Sequence, residues 1–285
     1  MNGISIIIPN TNFGDSPLGK VNFVLTPQEK AQIVTNKFST ALGTTQYSAE
    51  IYNMVHSLCE QDLYDKIIVF YPMVGTSLRQ MSINLIDPEI NPLKLRENAA
   101  VSGMKLSFSN TIEVSAEDTP NNILQPLLNY DNHGFFFKAK RNSGGLNSSE
   151  LLDVPRLYTW NQSGRKFVFE EATRVTLSSD PNTDTAYAMV RQYYDLGLHL
   201  KVSLNGGSIE NNTIANTNKS DAWWHGSLGV KVGYTPTGTA GTTIAASSSL
   251  WDGTVSYLMI TDDVSDQEIA KISTILAAFC SVMGK

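Results

Sequence analysis

The chain has 285 residues, with 21 Lys and Arg against 27 Asp and Glu, a formal net charge of −6 and only 17% charged residues. Soluble globular proteins usually carry about 25%; here Ser, Thr, Asn and Gly fill the polar surface. The longest basic cluster, Lys138, Lys140 and Arg141, makes no stripe able to neutralise a phosphate backbone, so nucleic acid is excluded as an expected partner.

The chain opens with Ile4, Ile6, Ile7 and Ile8, β-branched residues that favour a strand. No positive charge precedes this short stretch, so a signal peptide is not expected. Pro9 ends it, and Asn10, Asn12, Gly14, Pro17 and Gly19 keep the following stretch irregular. Residues 1–25 therefore read as an extended anchoring arm. With Phe13, its isoleucines are the candidate anchor residues, since an arm of this size buries too little apolar surface to fold alone.

Residues 26–63 read as a helical segment. Thr26-Pro27-Gln28-Glu29 is a capping box with Pro at the first helical position, and Ala31, Val34 and Phe38 recur at helical spacing up to Gly43. A second helix from about Ser48 to Leu63 carries Ile51, Met54, Val55, Leu58 and Cys59 on one face.

Residues 64–285 read as a β-sandwich domain with a C-terminal helix. Strands are predicted at Lys66–Tyr71, Lys105–Ser109, Gly134–Ala139, Lys166–Glu170, Thr173–Leu177, Ala186–Tyr194, Leu198–Leu204, Leu228–Val232 and Val255–Thr261. In one of them Leu198, Leu200, Val202 and Leu204 alternate with His199, Lys201 and Ser203, which predicts a sheet with one wet face. Ser265-Asp266-Gln267-Glu268 is a second capping box. The stripe Ile269, Ile272, Ile275, Leu276 and Phe279 follows, so the last helix must lie on the sheet or against the first two helices. No run approaches the ~20 apolar residues of a membrane span.

Two blocks carry a resemblance. Tyr64 to Gly75 holds Tyr71-Pro72-Met73-Val74-Gly75, followed by Asn84-Leu85-Ile86-Asp87-Pro88; Tyr257 to Ile269 holds Thr261-Asp262-Asp263-Val264-Ser265-Asp266-Gln267-Glu268. With Ile4–Pro9 and Leu18–Val21, these resemble phage virion structural proteins of Bacteroidota phages, of head fibre, decoration or tail-associated type. Those proteins carry a concanavalin/laminin-G-like jelly-roll domain. The resemblance touches both ends and the helix-to-sheet junction, not residues 95–250. It implies a jelly roll and a virion location. A homo-oligomer, dimer or trimer, is expected, held to other virion proteins through the arm.

Such sandwiches also host glycosidases, which need two carboxylates roughly 5–10 Å apart. Glu60-Gln61-Asp62-Leu63-Tyr64-Asp65 lies at a helix end, and Glu170-Glu171 and Glu117-Asp118 are adjacent residues that face opposite ways in a strand. No enzyme activity is expected; the alternatives are a cell-surface carbohydrate-binding lectin domain and, less favoured, a glycoside hydrolase or lyase on the same fold. His56, His133, His199 and His225 lack metal-ligand spacing. Asp262-Asp263 sits beside a helix cap rather than in a calcium loop. Neither a metal nor a cofactor is expected. The candidate ligand site is Asp221-Ala222-Trp223-Trp224-His225. Trp223 or Trp224 could stack on a sugar of a host surface glycan, with Asp221 and His225 binding hydroxyls; the competing reading puts one tryptophan in the core and one at a subunit interface. Cys59 and Cys280 read as two buried thiols, with a disulfide between the first and last helices left open by the sequence.

Overall fold

The computed structural model describes residues 24–90, 92–93, 95, 99–109, 132–142, 149–152, 156–160, 166–170, 174–176, 182–194, 197–215 and 252–285. The fold is mainly β and antiparallel, as expected, and is consistent with a jelly-roll-like sandwich. One sheet has eight strands in the order β11-β10-β9-β4-β12-β3-β2, with β1 also paired to β12. The strands are β1 (Ile67–Tyr71), β2 (Ala99–Ser102), β3 (Lys105–Phe108), β4 (His133–Arg141), β9 (Thr185–Tyr194), β10 (Gly197–Leu204), β11 (Ile209–Ala215) and β12 (Gly253–Thr261). A second sheet has four, β5 (Ser149–Leu152), β6 (Arg156–Trp160), β7 (Lys166–Glu170) and β8 (Arg174–Thr176), paired in sequence order.

The helices are α1 (Pro27–Leu42), α2 (Ser48–Glu60), the short α3 (Leu78–Met81) and α4 (Asp266–Met283). Both predicted capping boxes form. The Thr26 hydroxyl accepts from the Glu29 N–H while Glu29 accepts from the Thr26 N–H; Ser265 and Glu268 repeat the arrangement. Gly43 and Gly284 close α1 and α4 in left-handed conformation, at φ of 74° and 66°.

The large sheet buries both faces. Phe70, Phe136, Ala188, Val190, Tyr257 and Met259 pack with α1, α2 and α4 in one cluster. Val69, Tyr71, Phe135, Phe137, Met189, Leu200, Val202, Leu258 and Ile260 form the other, where Phe137 stacks on Tyr187 with centroids 4.9 Å apart. The helices 26–63 thus share one core with the sheet. α2 packs against both α1 and α4, and α4 also lies on β9. Of the two placements open to the last helix, both hold.

One expectation needs correction. The face of β10 carrying His199, Lys201 and Ser203 is only partly wet, with His199 and Lys201 half-buried. Lys201 reaches Asp266 of α4 at 2.6 Å, Ser203 is buried, and Gly206 in the β10–β11 turn lies close to Ser273. A helix docks where alternation implied water. The strand predicted at Leu228–Val232 lies outside the described residues, as do residues 1–23 of the predicted arm 1–25.

The ladder between β12 and β4 has one irregularity. In β12, Val255 pairs with Ala139 and Tyr257 with Lys138, leaving Ser256 as a bulge. The extra residue turns the strand over. Val255 faces one cluster, Tyr257 the other, and Leu258 the first again.

Candidate functional site

Of the residues singled out from sequence, Asp221, Trp223, Trp224 and His225 lie outside the described residues, and so do Ile4, Ile6, Ile7, Ile8 and Phe13. Three other groupings fall on described residues.

The acidic helix end is tied down by ion pairs. Asp65 pairs with Lys30 at 2.5 Å, and Glu60 lies 3.6 Å from His56, one turn back on α2. Lys30 also lies over the Tyr64 ring, 4.9 Å from its centroid. Asp65 thus fastens α1 to the segment after α2, while Glu60 meets only its own helix.

The Asp262-Asp263 pair is likewise engaged. Gln192 Nε2 donates to Asp263 Oδ1 at 2.6 Å and Asn132 Nδ2 to Oδ2 at 3.4 Å. Lys66 Nζ donates to the Asp263 carbonyl at 3.2 Å and pairs with Glu268 at 2.6 Å. Burial, the largest single effect, raises the Glu268 carboxyl, but Lys66 and two hydrogen bonds at its cap together outweigh it and hold the group below its usual range. Sequence reasoning missed the buried His133, Arg191 and Gln192 near this corner. Their two strands, β4 and β9, are visible in the sequence; their burial comes from neighbours distant in the chain.

The third grouping is the most developed and was not foreseen. It lies where the end of α4 meets β1, β4 and β12. Lys285 Nζ donates to the Pro72 carbonyl, to Met73 O at 2.9 Å and to Ser256 O at 3.1 Å. It also lies over the Phe279 ring, 5.3 Å from the centroid. Each carbonyl is freed by a local feature. Pro72 and Met73 follow the last residue of β1, with Met73 in left-handed conformation at φ 50°, and Ser256 is the bulge of β12. A lysine ammonium has three donors and no acceptor, so three carbonyls and one ring face saturate it. Around it, Lys138 Nζ donates to the Lys285 carbonyl at 2.8 Å, and Asp184 Oδ2 receives Lys105 at 2.6 Å and lies 3.6 Å from Lys138.

Burial sets the electrostatics here. It pushes the Lys285 amine down to about 7; the Cys280 thiol opposes this and Lys105 and Lys138 add to it. It raises the Cys280 thiol, against Lys285 and Lys138, and raises the Tyr257 hydroxyl. The arrangement can hold an ammonium group. It presents no paired carboxylates. A separate shallow cleft of ≈ 400 Å³ lies on α1, lined by Asn36, Lys37, Thr40, Ala41, Pro88 and Glu89.

No family model matches the chain, and no curated protein matches it. Solved structures with partial likeness include the CBM40 of Ruminococcus gnavus IT-sialidase bound to α2,6-sialyllactose, 17% identical over 50% of this chain and 83% of that one, with a TM-score of 0.32. Trypanosoma rangeli sialidase is 10% identical over 81% of this chain, with a TM-score of 0.43, and the match spans 39% of that protein's length. A leech intramolecular trans-sialidase is 13% identical over 63% of this chain and 27% of its own, with a TM-score of 0.34. Likeness at this level concerns the fold alone and brings no ligand or reaction to these residues.

Proposed function

We propose that this chain is a structural component of a phage particle, of head fibre, decoration or tail-associated type. Residues 1–25 hold it to other virion proteins, copies associate as a dimer or trimer, and the β body displays a surface for host glycans without catalysing a reaction. One observation carries the reading. Among the described residues, those that resemble virion proteins work at a single junction. Asn84 caps the free edge of β1, Lys37 pairs with Asp87 at 2.9 Å, the Asp262 N–H donates to Lys66 O at 2.8 Å, and Lys66 pairs with Glu268. The resemblance therefore lies in the parts that fasten the helical layer to the sheet. The point where the arm joins also supports anchoring outward. Val24 is 89% exposed and Ile33 on α1 is 45% exposed.

The test is deletion of residues 1–25. The truncated protein is expected to fold and to be missing from assembled particles; full occupancy without the arm would overturn the anchoring reading. The glycan half has its own test, an array of host surface glycans probed with wild type, Trp223→Ala and Trp224→Ala. Unchanged binding by both variants would remove that site. Shortening of host capsular polysaccharide by the pure protein would overturn the non-catalytic reading.

A further inference from the structure

The end of α4 is held at three points. The Lys285 N–H donates to Cys280 O at 2.9 Å, Lys138 donates to the Lys285 carbonyl, and the Lys285 amine enters the carbonyls of Pro72, Met73 and Ser256. Those carbonyls belong to two strands that pair only from Tyr71 and Leu258 onward, so the amine bridges what the ladder does not reach. Cys280, 4% exposed, lies one helical turn before Lys285.

We propose that the Pro72, Met73 and Ser256 carbonyls, with the Phe279 ring, form a binding site for a primary ammonium group, which Lys285 fills from within the chain and which keeps the last turn of α4 closed over Cys280. Three features favour an ammonium. The carbonyls offer lone pairs and no donors, their number matches the donors of –NH₃⁺, and the ring face attracts a cation on the remaining side. A quaternary ammonium has no N–H to give, and a guanidinium spreads its donors in a planar fork that does not converge on one point. The site thus selects among cations by donor geometry as well as by charge.

The experiment uses the full chain with Cys59→Ser, so that Cys280 is the single thiol, and follows maleimide labelling under native conditions. Lys285→Ala is expected to label about tenfold faster or more, the scale of losing charge-assisted hydrogen bonds from a local closure. Methylammonium chloride is expected to slow labelling back towards the parent rate; tetramethylammonium chloride at equal ionic strength is not. Unchanged labelling in Lys285→Ala overturns the proposal, and so does equal rescue by both salts, which would reduce the effect to screening. Should Lys285→Ala fail to fold, the parent chain with ¹⁵N-labelled lysine gives an independent reading. Measured below the lowered pKa of about 7, where the amine is charged, a slowly exchanging ammonium signal, lost in Lys285→Arg and retained in Lys105→Arg, supports the proposal; lysine ammonium signals that all exchange at solvent rates overturn it.

Discussion

Asn84 Oδ1 accepts the N–H of Phe70 at 3.1 Å, so a side-chain amide takes the place of a neighbouring strand along β1. The same oxygen accepts from Ile86 N at 3.2 Å, Asn84 Nδ2 donates to Ile90 O at 3.2 Å, and Leu85 N donates to Phe70 O at 2.7 Å. All of this occurs with Asn84 buried. Asn84→Ala leaves a buried N–H and a carbonyl without partners, and should cost about 2–3 kcal/mol. Asn84→Asp keeps the acceptor, loses the donor and buries a charge, and should do no better. Urea unfolding of the two variants checks both; a loss within experimental error for Asn84→Ala would mean the strand edge is held some other way.

At the start of α4, Ser265→Ala should destabilise by about 1 kcal/mol, the usual value of an N-cap. Glu268 adds a pH signature. Its folded-state pKa lies below the ordinary 4.5, so its contribution is present above that pH and is lost as pH falls through the folded value. The stability gap between wild type and Glu268→Gln should therefore close on acidification. A gap that stays constant from neutral pH to the acid transition would contradict the Lys66–Glu268 pairing.

Gly253 is a position without room. A Cβ there would meet Lys140 O at 2.1 Å and Arg141 Cα at 2.9 Å, both main-chain atoms of the adjacent strand. Gly253→Ala should force β12 away from β4 and give a chain that is insoluble or lacks cooperative unfolding. By contrast Gly103, whose Cβ would meet nothing within 4 Å, has only its φ of 62° to oppose a side chain, and Gly103→Ala should stay folded with a cost of about 1 kcal/mol. Thermal melts of the pair separate crowding from backbone strain.

Cys59 and Cys280 are both buried free thiols. Burial raises the Cys59 thiol to about 11, opposed in part by Lys30, and raises Cys280 as well. Neither should be a useful nucleophile at neutral pH, because the thiolate is the reactive form. A thiol assay is expected to find little reaction in the native protein and two thiols after denaturation. One or none after denaturation would mean an oxidised pair.

The helices were legible because their signals are local. Both capping boxes form, the stripe Ile51, Met54, Val55, Leu58 and Cys59 is buried, and of Ile269, Ile272, Ile275, Leu276 and Phe279 all but the half-buried Ile275 are buried. The strands with strong β-branched or aromatic content, such as β4 and β9, were found to within two residues, whereas β2, β5, β6 and β11 were missed. Ile209–Ala215 reads Ile-Glu-Asn-Asn-Thr-Ile-Ala, poor in strand formers, and is a strand because β10 offers it a ladder. The ammonium site could not be read at all. Lys285 meets Pro72 and Met73 across more than two hundred positions, and a backbone carbonyl leaves no mark in a sequence.

The bulge at Ser256 is the one place in β12 where the strand could be shortened without changing which side chains meet. Val255 pairs with Ala139 and Tyr257 with Lys138, consecutive positions of β4, so the two already face opposite layers as direct neighbours would. Deleting Ser256 should leave Tyr257, Leu258, Met259 and Ile260 in their present layers and remove only the carbonyl that meets the Lys285 amine. A deletion within the regular stretch Tyr257–Ile260 would instead exchange the layers of the residues on one side of it, placing aromatic against aliphatic positions. The two deletions, equal in length and neighbours in sequence, should therefore differ widely in their effect on folding.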